Sequence, residues 1–152
     1  NRINVESSAD MADAVNAYFD ESDLIVMAAA VADYRPLDVS KEKLKKTNAN
    51  FNLELTKTTD ILTELGKVKR AGQILVGFAL ETENEEENAK NKLLKKNLDF
   101  IVLNSLQDKG AGFKSDTNKV TIIDKLLQIE RYPLKTKQDV AKDICKKIID
   151  LL

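Results

Sequence analysis

Three short apolar runs constrain the fold of this chain more than any other feature: residues 24–30 (LIVMAAA), 74–79 (ILVGFA) and 99–104 (DFIVLN). Each is too short to cross a membrane. Each is also too continuously apolar for a strand with one wet face, so all three read as strands buried on both sides. Helical patterns alternate with them. Ser7 and Asp10 have capping-box spacing ahead of Met11, Val15, Tyr18 and Phe19, which recur on one helical face. Thr58, Thr59 and Asp60 can cap a helix carrying Ile61, Leu62 and Leu65, with Gly72 closing that region. Thr82 and Glu85 are spaced as a capping box for a lysine-rich helix running to about Lys96.

Beyond the third run comes a loop with Gly110 and Gly112. The segments NKVTIID and LLQIERY then read as a hairpin around Asp124 and Lys125. Thr136 and Asp139 open a last helix whose Val140, Ile144, Ile148 and Leu151 form an apolar stripe. Between the first run and the second lie a basic loop, KEKLKKTNAN, and FNLEL, in which Phe51, Leu53 and Leu55 would share one strand face. Helices alternating with buried strands imply an α/β fold: a doubly wound, mainly parallel Rossmann-like sheet with a C-terminal hairpin and helix. Residues 1–152 read as a single domain. In such sheets ligands bind beyond the carboxyl ends of the strands, so the loops starting at Ala29, Phe78 and Asn104 should share one rim.

Composition narrows the chemistry. There is no histidine, which excludes Ser-His-Asp and Cys-His catalysis and most zinc sites. The one cysteine, Cys145, cannot form an internal disulfide; it is expected as a small core residue in a reducing, cytoplasmic setting. A net charge of −1 does not suit a general nucleic-acid binder, and no apolar run approaches a bilayer span. Lysines, carboxylates, amides, backbone groups or a hard metal ion must carry any reaction.

Several features could do so. Alanines at positions 28 to 30 leave room for a flat ring or a ribose beside the backbone. Asp33, just beyond, could accept hydrogen bonds from ribose hydroxyls or help hold a magnesium ion. A lysine from KEKLKK could close over a phosphate. Lys92 and Lys96, four residues apart, stack on one helix face and could bracket a triphosphate. The helix start near Thr59 presents unpaired amides. Taken singly, each also suits a plainer role as a helix-packing run, a solvated loop or a solvated basic face. Neither G-x-x-x-x-G-K-[ST] nor G-x-G-x-x-G occurs in the sequence.

In combination, AAAVADYRP, KLKK, LELTKTTDIL, LVGFALET, NKLLKKNLDFIVLN and GFKSDTNKV resemble, in order and spacing, the phosphopantothenate–cysteine ligase (phosphopantothenoylcysteine synthetase) family of the bacterial CTP-dependent type. The resemblance runs from roughly residue 5 to residue 150. It implies a ligase of coenzyme A biosynthesis that joins 4'-phosphopantothenate to L-cysteine through an acyl-cytidylate, converting CTP to CMP and pyrophosphate with Mg2+. It places Met27, Ala28, Ala29 and Asp33 against the cytidine nucleotide and makes Lys43 the catalytic mobile-loop lysine. Thr59, Asp60, Ile61 and Leu62 match the nucleotide-contacting helix start, although many members read NPDI where this chain reads TTDI. Phe78 corresponds to a nucleotide-contacting phenylalanine, and Lys92 and Lys96 to the triphosphate pair.

The resemblance further implies a homodimer with contributions crossing near KLKK, and a fused or associated flavin-dependent decarboxylase. It also implies a preceding unit of a strand, a glycine- and serine-rich loop with a functional asparagine, and a helix, which these residues do not include. Other readings are a Rossmann-like oxidoreductase using a nicotinamide dinucleotide, which lacks its glycine-rich turn here, and a noncatalytic nucleotide-binding or regulatory relative.

Overall fold

The computed structural model describes residues 1–40, 42–45, 50–105 and 115–152. The two glycines at 110 and 112, and Lys46 of the KLKK motif, lie outside the described residues. The apolar runs become strands of one five-stranded sheet, ordered β1 (Leu24–Met27), β4 (Ile74–Glu81), β5 (Phe100–Ser105), β7 (Val120–Asp124) and β8 (Ile129–Arg131). β1, β4 and β5 run parallel; β7 and β8 form the expected hairpin and join antiparallel. Two ribbons stand apart: β2 (Tyr34–Pro36) with β3 (Leu55–Lys57), and β6 (Thr117–Asn118) with β9 (Lys135–Thr136).

Period-two alternation sorts the strand residues to two cores. On one face Leu75, Ala79, Ile101, Leu103 and Ile123 pack with Phe19 of α1 (Ser8–Phe19), Leu65 of α2 (Ile61–Val68) and Leu93 of α3 (Glu85–Lys95). On the other, Ile74, Val76, Phe100, Val102 and Ile122 pack against Val140, Ile144 and Ile148 of α4 (Lys137–Ile149). Helices on both faces give the three layers of a doubly wound fold. Ser7 and Asp10 make the reciprocal capping box of α1, and Thr136 caps α4 through the Asp139 N–H.

Close packing leaves little room for a side chain at two glycines, against leucine methyls at Gly77 and against backbone at Gly66. A Cβ on Gly77 would lie 2.7 Å from a Leu62 methyl and 2.8 Å from one of Leu98, and a Cβ on Gly66 would lie 2.0 Å from the Lys96 carbonyl oxygen. The second contact docks α2 directly on the C-terminus of α3.

Four expectations are corrected. The first strand stops at Met27 instead of continuing to Ala30. Among the described residues β1 is an edge strand paired only with β4, and Leu24 and Val26 remain 40% and 41% exposed, on the face where α4 covers the inner strands. FNLEL is extended only from Leu55, and Phe51, Leu53 and Leu55 are all exposed because no described element covers them. Thr82 is not the N-cap: α3 begins at Glu85 behind Asn84, which has a left-handed φ of 46° and makes no side-chain cap bond. Cys145 is exposed, because it follows the buried Ile144 onto the solvent face of α4. Among the described residues no helix is long and apolar enough to cross a membrane.

Candidate functional site

The rim at the carboxyl ends of β1 and β4 is built by three local devices. Beyond β1 the chain turns tightly, the Val31 N–H donating to the Ala29 carbonyl at 3.2 Å. At the base of the β2–β3 ribbon the Thr58 N–H donates to the Asp33 carbonyl at 2.8 Å. That bond holds the segment leaving β1 beside the segment entering α2. Asp60 then caps α2, its Oδ1 accepting the Thr63 N–H at 3.1 Å. Phe78 and Leu80 come from the end of β4, Lys92 from the last turn of α3 and Lys96 from its C-cap.

Between these elements lies a cleft of about 370 Å3, within the roughly 300–1,000 Å3 usual for small-molecule sites. The structure brings Met27, Ala29, Asp33, Thr59, Asp60, Ile61, Leu62, Phe78, Lys92 and Lys96 together around it. Ala28 and Lys43 are exposed and do not line it. Ala30, the last of the three alanines expected to leave room there, lines it as well, and so do Val31, Ala32, Thr58 and Leu80, which the sequence did not mark as site residues. Leu80 was findable, since it follows Phe78 by two on a strand; Thr58 was not, because its place depends on the pairing with Asp33.

Each ammonium group is held by a carboxylate. Lys96 Nζ sits 2.8 Å from Asp60 Oδ2 and 3.0 Å from Oδ1. Lys92 Nζ sits 2.6 Å from Oε1 of Glu81, the last residue of β4. Burial works to raise the Asp60 carboxyl, but hydrogen bonds from Lys96 and Thr63 outweigh it and hold the group below the ordinary carboxylate range. The cleft thus pairs an apolar wall with two cations one helical turn apart, an arrangement suited to a ligand with a flat part and a polyanionic part. A second cleft, of about 290 Å3, lies at the other end of the strands, where Lys69, Arg70 and Lys125 occur with Asp99. There Lys69 and Asp99 pair at 2.9 Å, and the Asp99 carboxylate accepts the Leu75 N–H at 2.8 Å, which fastens two turns of the fold.

Comparison with known proteins adds an independent line. All of residues 1–152 match the family described as the DNA/pantothenate metabolism flavoprotein C-terminal domain. A curated relative from an unknown prokaryotic organism, described as a cysteine/cysteine sulfinic acid decarboxylase, is 51% identical over 152 residues, which is 100% of this chain and 42% of that protein. The coenzyme A biosynthesis bifunctional protein CoaBC of Bacillus subtilis (strain 168) is 47% identical over 149 residues, covering 98% of this chain and 36% of that protein. A crystal structure of the C-terminal domain of coenzyme A biosynthesis bifunctional protein CoaBC is 40% identical with a TM-score of 0.79, covering 98% of this chain and 66% of that one. The chain therefore spans well under half the length of these two curated relatives. With the whole chain matched and the fold shared, it belongs to the DNA/pantothenate metabolism flavoprotein C-terminal domain family.

Proposed function

We propose that this chain is the nucleotide-binding ligase domain of an enzyme of coenzyme A biosynthesis, one that joins 4'-phosphopantothenate to L-cysteine at the expense of CTP. The observation that carries the reading is a cleft at the carboxyl ends of the strands where residues from four separated segments meet, with Lys92 and Lys96 at its charged side. The relatives named for coenzyme A biosynthesis support it.

In this reading the nucleotide lies against Met27, Ala29, Ile61, Leu62 and Phe78, with Ala28 on the exposed turn just outside the lining, and its phosphates meet Lys92 and Lys96. The phosphopantothenate carboxylate oxygen attacks the α-phosphorus, the bond to the β-phosphate oxygen breaks, and pyrophosphate leaves. The cysteine amine then attacks the acyl carbon, the acyl–oxygen bond breaks, CMP departs and the amine gives up a proton. Lys43 is the catalytic lysine that reaches over the reacting phosphate, and Thr59 and Asp60 hold the nucleotide at the start of α2.

Mg2+ would neutralise phosphate oxygens as charge shifts between them. The residues fit a magnesium carried mainly by the triphosphate. Among the described residues no three metal-binding side chains converge, yet magnesium on phosphates needs only one or two carboxylates. Asp33, on the cleft wall and in no ion pair with a described residue, is the carboxylate that would meet it or the ribose.

The reading extends to assembly. The β2–β3 ribbon and its flanks expose Tyr34, Leu37, Val39, Phe51, Leu53 and Leu55, which supports a homodimer through this arm. The open edge of β1, with Leu24 and Val26 uncovered, supports a preceding strand, loop and helix docking there and completing the phosphopantothenate half of the site. A fused or associated flavin-dependent decarboxylase and a cytoplasmic setting complete the proposal.

Its test is pyrophosphate release by the longest native form of the protein, given 4'-phosphopantothenate, L-cysteine, CTP and magnesium. Release that requires both phosphopantothenate and CTP is the expected result. Absence of release, together with tight binding of a reduced nicotinamide dinucleotide, would favour an oxidoreductase instead.

A further inference from the structure

Glu81 does not line the cleft, yet it touches a residue that does. It ends β4, its side chain is 13% exposed against 47% for Lys92, and its Oε1 lies 2.6 Å from the Lys92 ammonium. The other carboxylate oxygen accepts a hydrogen bond from Asn88 Nδ2 at 3.4 Å, and the same amide donates to the Glu83 carbonyl at 2.9 Å. Asn88 and Lys92 are four apart on α3, so the carboxylate sits under one helix face and engages both.

Lysine is a compact charge on a flexible four-carbon stem, and a half-exposed one samples many rotamers. A buried carboxylate behind it removes that freedom. We infer that Glu81 is a positioning residue, which fixes the Lys92 ammonium at the cleft wall so that it meets a polyphosphate without reordering. The inference rests on the nucleotide reading of the cleft. It goes beyond that reading by giving a function to a carboxylate whose charge, taken alone, would oppose an anionic ligand. Lys96 differs in this respect, because its partner Asp60 lines the cleft itself.

Geometry and charge separate cleanly in two variants. Glu81 Oε1 is buried and meets Lys92 as an ion pair, with no hydrogen bond of its own among the described residues, so Glu81→Gln keeps the side chain's length and removes the charge, while Glu81→Asp keeps the charge and withdraws it by one methylene. Calorimetric titration of the full chain with CTP and magnesium would be run on the wild type, both variants, Lys92→Met and the double variant Glu81→Asp/Lys92→Met. Thermal melting would check that each is folded.

Positioning through the ion pair predicts that Glu81→Asp and Glu81→Gln each weaken CTP about tenfold. It also predicts that Glu81→Asp has no further effect once Lys92 is methionine, because the two residues act as one unit. Tighter binding by Glu81→Gln with wild-type affinity for Glu81→Asp would make Glu81 a mere neutraliser and overturn the inference. An equal loss in the Lys92→Met background would reduce it to a structural residue. Wild-type protein that takes up no CTP would refute the nucleotide reading itself, and this inference with it.

Discussion

Replacing Gly66 by alanine tests how tightly α2 docks on α3. The added methyl carbon would lie 2.0 Å from the Lys96 carbonyl oxygen and 2.8 Å from its carbonyl carbon. Carbon and oxygen rest at about 3.3 Å or more, so one helix must retreat by about 1.3 Å. The obstacle is backbone, and no rotamer change relieves it. Retreat would stretch the 2.9 Å bond from Asn97 Nδ2 to the Gly66 carbonyl.

Overpacking costs about 1–3 kcal/mol and the lost hydrogen bond about 1, offset by about 1 from alanine's better helix propensity. Because the obstacle is rigid, the upper end applies, a net of about 3 kcal/mol, which lowers the melting temperature of a domain this size by about 6–12 °C. Calorimetric melting beside Gly72→Ala supplies the comparison. Gly72 has a φ of +85° but nothing within 4 Å, so alanine there should cost only the left-handed backbone strain, about 1–2 kcal/mol. A Gly66→Ala protein melting within about 2 °C of wild type would refute the steric reasoning.

Three further outcomes follow from named contacts. Lys43→Gln should lower ligase turnover on the order of a hundredfold with an unchanged melting temperature, measured by pyrophosphate release; an unchanged rate would remove the lysine's catalytic assignment. Asp60→Ala should cost about 1–2 kcal/mol in urea unfolding through loss of the cap and of the half-exposed Lys96 pair, whereas Asp60→Asn, which still caps, should cost about 0.5. Since the folded Asp60 carboxyl is held below its ordinary value, its contribution is present above the unfolded carboxylate range and drains as pH falls through the folded one. The difference between wild type and Asp60→Asn should therefore vanish in strong acid. Lys147→Met should destabilise by about 2–3 kcal/mol, because Lys147 bonds Asp124 at 3.1 Å and Glu130 at 2.6 Å, and the buried Asp124 carboxylate would lose its cation; urea unfolding would read it.

What could be read from the sequence follows from how local each cause is. ILVGFA and DFIVLN declared themselves because both of their faces are covered, and burial leaves an unbroken apolar run. The end of β1 did not, because Leu24 and Val26 are as apolar as inner-strand residues while the place of their strand at the sheet edge is a tertiary fact. Thr82 and Glu85 had the right spacing for a cap, but a left-handed Asn84 sets the start of α3 at Glu85, two residues later than that spacing implied. In the site, Lys92 and Lys96 could be paired from their helical spacing. Their carboxylate partners could not: Asp60 is 36 residues from Lys96, and Glu81 reaches Lys92 only because β4 runs under α3.

The β1 edge carries a consequence for how such a chain behaves in a test tube. A row of backbone donors and acceptors on the outer side of a sheet, beside two apolar side chains, is a template on which another strand can grow. The brevity of β1, at four residues, and the carboxylate of Asp23 just before it blunt that template without removing it. Edge-to-edge stacking is the expected behaviour of residues 1–152 on their own at high concentration, and protein lost to such aggregates would lower the measured binding stoichiometry while leaving the remaining clefts intact.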